Sequence, residues 1–366
     1  MNDYRAPAWL PGGNLQTIWS ALYARRGPGA APCYARERWT TPDGDFIDVD
    51  FARRCDADHS PSGPASKTAS ADATASAAST STAASTSAAT PGAVAARPML
   101  VLFHGLEGSS RSHYAETFAA YASGRGWDFA VPHFRGCSGE INLAPRAYHS
   151  GDFEEIGWIL ARLRERHAAA GGTVLMAAGV SLGGNALMRW AAEAGPTALH
   201  GVSAVASISA PLDLAAGGVA IGRGFNKLAY TRMFLATMKP KALAKLDQHP
   251  GLFDREALLR VRDLYAFDSV FTGPLHGFRD ADDYWARGSA RPHLHRIRVP
   301  ALALNARNDP FVPAASLPTA AEAGSHVTLW QPGQGGHVGF PAGAPPGHVR
   351  TMPTAVGGWL AAQSGL

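Results

Sequence analysis

Short apolar runs alternate with amphipathic stretches along most of the chain. The apolar runs are four to eight residues long, as in buried strands, and helix-like spacing of apolar residues separates several of them. This alternation predicts an α/β fold with a mostly parallel central sheet and helices on both faces. The predicted strands are Met99–Phe103, Phe129–Pro132, Thr173–Val180, Val202–Ile208, Ala301–Asn305 and His326–Trp330, and the predicted helices are Ser112–Ser123, Phe153–Arg166, Leu182–Glu193 and His348–Ala362.

Three segments add to this alternating pattern. Two extended runs around the turn Pro42-Asp43-Gly44 predict an N-terminal antiparallel hairpin. Residues 54–97 are almost wholly Ala, Ser and Thr, and we expect a disordered insertion because such a stretch buries little apolar surface. Residues 213–290 have helical sequence without strand patterns, which predicts a helical cap. Strand patterns flank the insertion, so we expect residues 1–366 to form a single domain.

Composition and charge narrow the class of protein. The chain has 366 residues, 46% hydrophobic and 17% charged, as a globular protein has. Its net charge is only +4, and its arginines are scattered, so we expect no nucleic-acid partner. The three cysteines have no C-x-x-C spacing, which predicts neither disulfides nor a zinc site and favours a reducing cytoplasm. We expect no metal and no cofactor, and the sequence leaves the oligomeric state open.

Residues 9–23 have apolar side chains at helix-like spacing. An amphipathic helix packed on the protein's own core is the favoured interpretation, because such stripes usually face a core. Peripheral contact with a membrane surface is the alternative, since two arginines follow the segment. The sequence therefore predicts a cytoplasmic protein that could associate with membranes.

The segment Gly179-Val180-Ser181-Leu182-Gly183 joins a predicted strand to a predicted helix. A tight turn of this kind needs small residues two places before and two places after the serine, because larger side chains would collide with neighbouring elements. The helix that follows directs its N-terminal amides towards the serine, where negative charge would develop during acyl transfer. The pattern predicts that Ser181 is a nucleophile.

A serine hydroxyl needs a base to take its proton and an acid to orient that base. In a sheet enzyme of this kind the acid and then the base follow the serine, each in a loop after a later strand. Asp309 follows the predicted strand Ala301–Asn305, and His337 lies in a glycine-rich loop after His326–Trp330. We expect Asp309 and His337 to complete a triad with Ser181. The expected oxyanion donors are the backbone amides of Leu106 and Leu182.

Several motifs in this order resemble the YheT-like or EMB8-like branch of the α/β-hydrolases, which includes ABHD1- and ABHD3-type proteins. They are Pro7-Ala8-Trp9-Leu10-Pro11, Asn14-Leu15-Gln16-Thr17, His104-Gly105-Leu106-Glu107-Gly108-Ser109-Ser110, Phe134-Arg135-Gly136-Cys137-Ser138-Gly139, Gly179-Val180-Ser181-Leu182-Gly183-Gly184-Asn185, Asn308-Asp309-Pro310-Phe311 and Gly335-Gly336-His337-Val338-Gly339-Phe340. The resemblance covers nearly the whole chain except the Ala/Ser/Thr-rich insertion. It implies the α/β-hydrolase fold, the same triad and hydrolysis of carboxylic esters, with acyl or lipid esters as substrates.

The expected function is therefore that of a serine esterase that cleaves short- to medium-chain acyl esters or lipid esters. An acyltransferase that uses the same triad with an alcohol or thiol acceptor is the alternative. The predicted cap supplies candidates for the walls of the substrate pocket, although each is as well suited to the core of the cap. These candidates are Phe225, Tyr230, Met233 and Phe234.

Overall fold

The structure, a computed structural model, describes residues 4–26, 31–53 and 97–366. The predicted Ala/Ser/Thr-rich insertion lies outside the described residues, apart from Arg97. The described residues form one eight-stranded sheet in the order β1-β2-β4-β3-β5-β6-β7-β8. The strands are β1 Cys33–Thr40, β2 Phe46–Arg53, β3 Met99–Phe103, β4 Asp128–Pro132, β5 Leu175–Val180, β6 Ala204–Ile208, β7 Ala301–Leu304 and β8 Val327–Trp330.

Strands β3 to β8 run parallel to one another. Strands β1 and β2 form an antiparallel hairpin, and β2 joins it to the sheet by pairing antiparallel with β4. Helices cover both faces of the sheet, and every side chain of β3 is buried. Val101 and Phe103 pack into the core on one face, and Leu100 and Leu102 pack into the core on the other. Burial on both faces explains why the strands are continuous apolar runs. The predicted fold class is confirmed.

Fourteen α-helices lie among the described residues. None of them is long and apolar enough to span a bilayer. They are α1 Gly13–Leu22, α2 His113–Gly124, α3 Phe153–Ala169, α4 Leu182–Ala194, α5 Ala198–Gly201, α6 Leu214–Ile221, α7 Gly224–Asn226, α8 Arg232–Gln248, α9 Arg255–Arg260, α10 Leu264–Phe267, α11 Gly273–Leu275, α12 Ala281–Gly288, α13 Ala320–Ala323 and α14 Thr351–Gln363.

Helices α6 to α12 follow one another between β6 and β7, and no strand interrupts them in this described stretch. Several of these helices begin at an aspartate whose side chain accepts hydrogen bonds from backbone amides of the first turn. Asp213, Asp254, Asp263 and Asp280 are such caps. These four aspartates therefore define where helices begin in the segment 213–290. The sequence predicts that this segment forms a helical cap.

Helix α1 does not pack in the way that the sequence favours. Gln16, Thr17 and Ser20 are buried, whereas Leu15 and Leu22 are 48% and 65% exposed. The expectation that the apolar stripe of 9–23 faces the core is therefore wrong for these two leucines. The physical reason is that Gln16 and Thr17 find hydrogen-bond partners in two loops of the protein, as described below.

One cysteine also departs from expectation. Cys33, at the start of β1, is disulfide-bonded, whereas Cys137 is a free thiol that is largely buried. The expectation that the cysteines form no disulfide is therefore wrong for Cys33. The cytoplasmic location loses part of its support and stays a prediction.

A buried carboxylate holds the hairpin to the rest of the molecule. The carboxylate of Asp50 on β2 contacts Arg36 Nε at 2.7 Å and His133 Nε2 at 2.9 Å, and it accepts a 2.6 Å hydrogen bond from Ser110 Oγ. Burial alone would raise the pKa of Asp50, but these hydrogen bonds outweigh it and lower the pKa far below its ordinary value. The ionised carboxylate therefore stabilises the folded state.

We expect Asp50→Asn to lower the free energy of unfolding at pH 7 by about 1–3 kcal/mol, because the hydrogen bonds lose their charged acceptor. A carboxyl with a depressed pKa in the folded state stabilises above its unfolded pKa of about 3.9, and this stability is lost progressively as pH falls. Urea titrations from pH 7 down to pH 2 should show the difference between Asp50→Asn and wild type narrowing below about pH 4. A difference that stays constant over this range would contradict the assignment.

Candidate active site

Ser181 lies at a sharp turn between β5 and α4. Its φ of 52° is in the left-handed region, which a residue with a Cβ atom rarely adopts. A Cβ atom on Gly179 would lie 2.4 Å from the carbonyl oxygen of Gly183, and one on Gly183 would lie 2.5 Å from the carbonyl oxygen of His104. Gly179 and Gly183 of the predicted tight turn are therefore sterically required, because the turn brings three backbone segments into contact.

The structure brings Ser181, His337 and Asp309 together. His337 Nε2 lies 3.1 Å from Ser181 Oγ, and His337 Nδ1 lies 2.9 Å from Asp309 Oδ2. His337 and Asp309 are buried, and the ring centroids of Phe311 and His337 lie 4.2 Å apart. The amides of Phe311 and Val312 donate hydrogen bonds to Asp309 Oδ1, which fixes the orientation of the carboxylate. This is the geometry of a nucleophile, a base and an orienting acid.

Two buried side chains of α1 hold the loops that carry the base and the acid. Gln16 Oε1 accepts hydrogen bonds of 2.9 Å from the amide of Gly335 and from Asn308 Nδ2. Thr17 Oγ1 accepts a 2.8 Å hydrogen bond from the amide of His337. Because Gly335 and Asn308 are neighbours of the base and the acid in sequence, α1 fixes the two loops relative to each other.

We expect Gln16→Ala to lower the free energy of unfolding by about 2–4 kcal/mol, because it leaves the buried amide of Gly335 and the amide group of Asn308 without an acceptor. Gln334→Ala is the matched control: Gln334 also bonds a backbone amide, that of Ala6, but it is exposed. The control should change stability by about 0.5 kcal/mol or less. Chemical denaturation of both variants measures the difference, and equal losses would contradict the role given to Gln16.

The loop that follows β3 lies close to Ser181, since a Cβ atom on Gly105 would be 3.2 Å from the Cβ atom of Ser181. Burial lowers the pKa of His104 to about 3, so its imidazole is neutral. Its Nε2 accepts a 3.0 Å hydrogen bond from the amide of Phe134, and Nδ1 therefore donates to the carbonyl of Gly105 at 2.8 Å. His104 thus braces the loop.

The next residues of this loop are held by two further side chains. Glu107 has a φ of 56°, its amide donates to the hydroxyl of Tyr148 at 3.0 Å, and its carboxylate forms a 2.8 Å ion pair with Lys241 of α8. The backbone amides of Leu106 and Leu182 donate no hydrogen bond to any of the described residues. Both donors are therefore unused within the described part of the chain, and their role in an oxyanion hole stays a prediction.

A cavity of about 530 Å³ opens onto Ser181 and His337. This volume lies within the range of about 300–1,000 Å³ that is typical of small-molecule sites. Tyr230, Met233 and Phe234, which the sequence predicts as wall residues, line it together with residues of α1. A second cavity of about 120 Å³ reaches Ser181 from the side of α6 and α12.

Phe225 is the exception among the predicted wall residues. Its side chain is 54% exposed, and it does not line either cavity that contains Ser181. Its ring instead packs edge-on against Tyr230, with ring centroids 6.1 Å apart. The prediction was wrong because helix spacing does not indicate that α7 turns this side chain towards solvent.

Sequence reasoning gave no function to Gln16, Thr17 and Asn308. The usable signal was the polar pair Gln16-Thr17, which interrupts an otherwise apolar helix. A glutamine and a threonine on the face that packs inward must find hydrogen-bond partners. Their partners could not be identified from the sequence, because they lie about 300 residues away along the chain.

Comparison with known proteins agrees with the fold and the site. A family model described as the alpha/beta hydrolase fold matches residues 98–344. The candidate esterase YheT of Escherichia coli (strain K12) is 37% identical over 332 residues, which are 90% of this chain and 84% of that protein. Phospholipase ABHD3 of Mus musculus is 28% identical over 67% of this chain, and the match spans only 59% of ABHD3.

Among solved structures, a puromycin-hydrolyzing peptidase of Mycobacterium tuberculosis superposes with a TM-score of 0.51 over 93% of this chain and 41% of that chain. The two sequences are 17% identical, so the likeness concerns the fold alone. The family model and the similarity to YheT together confirm the resemblance found in the sequence. The chain belongs to the α/β-hydrolase family, within its YheT-like branch.

Proposed function

We propose that this protein hydrolyses carboxylic esters through an acyl-enzyme at Ser181. The observation that carries the proposal is the continuous contact from Ser181 Oγ to His337 Nε2 and from His337 Nδ1 to Asp309. A hydroxyl in this arrangement can lose its proton to the imidazole as it attacks a carbonyl carbon. The names of two relatives, a candidate esterase and a phospholipase, agree with this chemistry.

In the first half of the reaction, Ser181 Oγ bonds to the ester carbonyl carbon while its proton passes to His337 Nε2. Asp309 stabilises the imidazolium, and the amides of Leu106 and Leu182 bind the oxyanion. The alcohol then leaves with the proton from His337. In the second half, water gives its proton to His337, its oxygen attacks the acyl carbon, and the carboxylic acid departs as the proton returns to Ser181.

The substrate class follows from the walls of the 530 Å³ cavity. Its lining is mostly apolar and includes Ile18, Met233 and Phe234, which suit an acyl chain better than a charged group. We therefore propose short- to medium-chain acyl esters or lipid esters as substrates. The chain spans 59% of ABHD3's length, so this proposal rests on the cavity and not on phospholipase activity in that relative.

An ester panel with product analysis tests the proposal. The protein should release p-nitrophenolate from p-nitrophenyl esters, with a turnover that depends on the length of the acyl chain. Mass spectrometry of the products, with an added alcohol or thiol acceptor, separates hydrolysis from acyl transfer. Free carboxylic acid as the main product agrees with hydrolysis, whereas a dominant new ester or thioester identifies an acyltransferase. Absence of turnover across the panel would overturn the proposal.

A further inference from the structure

Helix α1 presents an apolar face that the described residues leave uncovered. Amphipathic helices usually bury the apolar side and expose the polar one. Here Gln16, Thr17 and Ser20 are buried, while Leu15, Leu22 and the adjacent Tyr23 are 48%, 65% and 59% exposed. On the polar side, Gln16 and Thr17 bond to the loops of His337 and Asp309, whereas the Ser20 hydroxyl has no hydrogen-bond partner among the described residues. The apolar side has no such structural role within the described residues.

A second segment repeats this exposure. Residues 224–233 run from α7 into α8, and Tyr230 of this segment donates a 2.9 Å hydrogen bond to Asn14 of α1. Half of the exposed large apolar side chains among the described residues lie on these two segments. This set, called the apolar rim below, comprises Leu15, Leu22, Tyr23, Phe225, Leu228 and Met233.

Two residues of the apolar rim, Leu22 and Met233, line the larger cavity that leads to the serine. Ile18 and Leu22 of α1 line one side of this cavity, and Ala229 and Met233 line another, with Ser181 among the lining residues. An apolar surface placed elsewhere could be an ordinary feature of a soluble protein. Here it is continuous with the cavity, so whatever covers the apolar rim also faces the entrance to Ser181.

The charges on the two segments have one sign. No aspartate or glutamate occurs between residues 4 and 36 or between residues 214 and 246, and the latter stretch contains six basic residues. Arg25, Arg223 and Arg232 are exposed and form no ion pair with any described residue. Exposed apolar side chains flanked by unpaired arginines match the two features of an anionic bilayer surface, its hydrocarbon and its headgroups.

We propose that the apolar rim docks the protein on an anionic lipid bilayer, with the cavity of Ser181 opening onto the membrane. A second copy of the chain fits this surface less well, because a face-to-face contact would oppose like charges around Arg223 and Arg232. It would also cover the entrance to Ser181. An anionic bilayer neutralises the arginines and holds ester-containing molecules at the entrance.

This inference deepens the proposed function, on which its account of substrate delivery rests. A lipid ester could move from the bilayer into the cavity between α1 and α8 without exposing its acyl chain to water. Transfer of an acyl chain through water would be unfavourable, because its methylene groups would be exposed to water. Docking and catalysis remain separable, because binding to vesicles does not need turnover.

Co-sedimentation of the full chain with vesicles tests the proposal. The vesicles are phosphatidylcholine alone or phosphatidylcholine mixed with phosphatidylglycerol, at low and high salt. The test variant is Leu15→Gln/Leu228→Gln, whose two side chains belong to the apolar rim but do not line the cavity. Leu199→Gln/Leu259→Gln is the matched control, since these leucines are also exposed but lie on α5 and α9.

Wild type and the inactive Ser181→Ala protein should bind mixed vesicles equally, and more weakly at high salt. Leu15→Gln/Leu228→Gln should bind about tenfold to a hundredfold more weakly, with unchanged turnover of a soluble ester, while the control pair binds as wild type does.

Wild type left in the supernatant, or equal binding by both variant pairs, would overturn the proposal. A dimer in light scattering that Leu15→Gln/Leu228→Gln dissociates would assign the surface to a second copy. Loss of ester hydrolysis with intact binding would overturn only the proposed function.

Discussion

Replacing Ser181 by alanine is expected to lower kcat for p-nitrophenyl esters by about 10⁴ to 10⁶. The variant lacks the oxygen that would form the acyl-enzyme, and no other group in the proposed mechanism replaces it. Alanine carries the same Cβ atom as serine, so the backbone turn at φ 52° is under the same strain and the fold should persist. Initial-rate kinetics on purified protein measure the loss, and circular dichroism verifies the fold.

Ser150→Ala provides the matched control for this substitution. Ser150 lies in the smaller cavity together with Ser181, and its hydroxyl contacts Asn185 Nδ2 at 3.1 Å. Asn185 keeps its bonds to two carbonyl groups when that hydroxyl is removed. Turnover of Ser150→Ala should stay within about tenfold of wild type. The reverse order, with Ser150→Ala inactive and Ser181→Ala active, would refute the assignment of the nucleophile.

Asp309→Asn is expected to lower kcat on the order of 10⁴-fold while leaving the fold intact. The asparagine oxygen can still accept hydrogen bonds from the amides of Phe311 and Val312, which bind Asp309 Oδ1. Its NH₂ group then faces His337 and donates to Nδ1. That bond places the imidazole proton on Nε2. Nε2 then has no lone pair with which to accept the proton of Ser181.

Asp254→Asn controls for the general effect of an aspartate-to-asparagine change. Asp254 caps α9 by accepting hydrogen bonds from two backbone amides, and asparagine caps helices about as well. Its activity and stability should match those of wild type. If Asp309→Asn retained wild-type kcat, Asp309 would not be the group that orients His337.

The sequence predicted the sheet and the contacts around Ser181 because both depend on short-range patterns. Strands β3 and β5 are buried on both faces and therefore appear as continuous apolar runs. The tight turn at Ser181 is specified by Gly179 and Gly183, because a larger residue at either position would clash with the backbone. Asp309 and His337 were found because topology fixes the order of the loops that follow the later strands.

Other features depend on contacts between segments that are distant in the chain. Helix α1 buries polar side chains and exposes apolar ones, which is the reverse of the usual arrangement. Gln16 can be buried because its Oε1 accepts a hydrogen bond from the amide of Gly335, 319 positions away. Hydrophobic spacing cannot indicate such a pairing. The exposure of Phe225 depends on the direction in which a three-residue helix leaves α6, and no periodicity encodes that direction. The disulfide of Cys33 likewise carries no spacing signal.

Labelling with a fluorophosphonate tests the central claim most directly, because the reagent reacts preferentially with an activated serine. Wild type should gain one adduct, and peptide mapping should locate it on Ser181. Ser181→Ala should gain none, and His337→Ala should react far more slowly because its serine lacks a base. An adduct on another serine, or equal labelling of wild type and Ser181→Ala, would contradict the account.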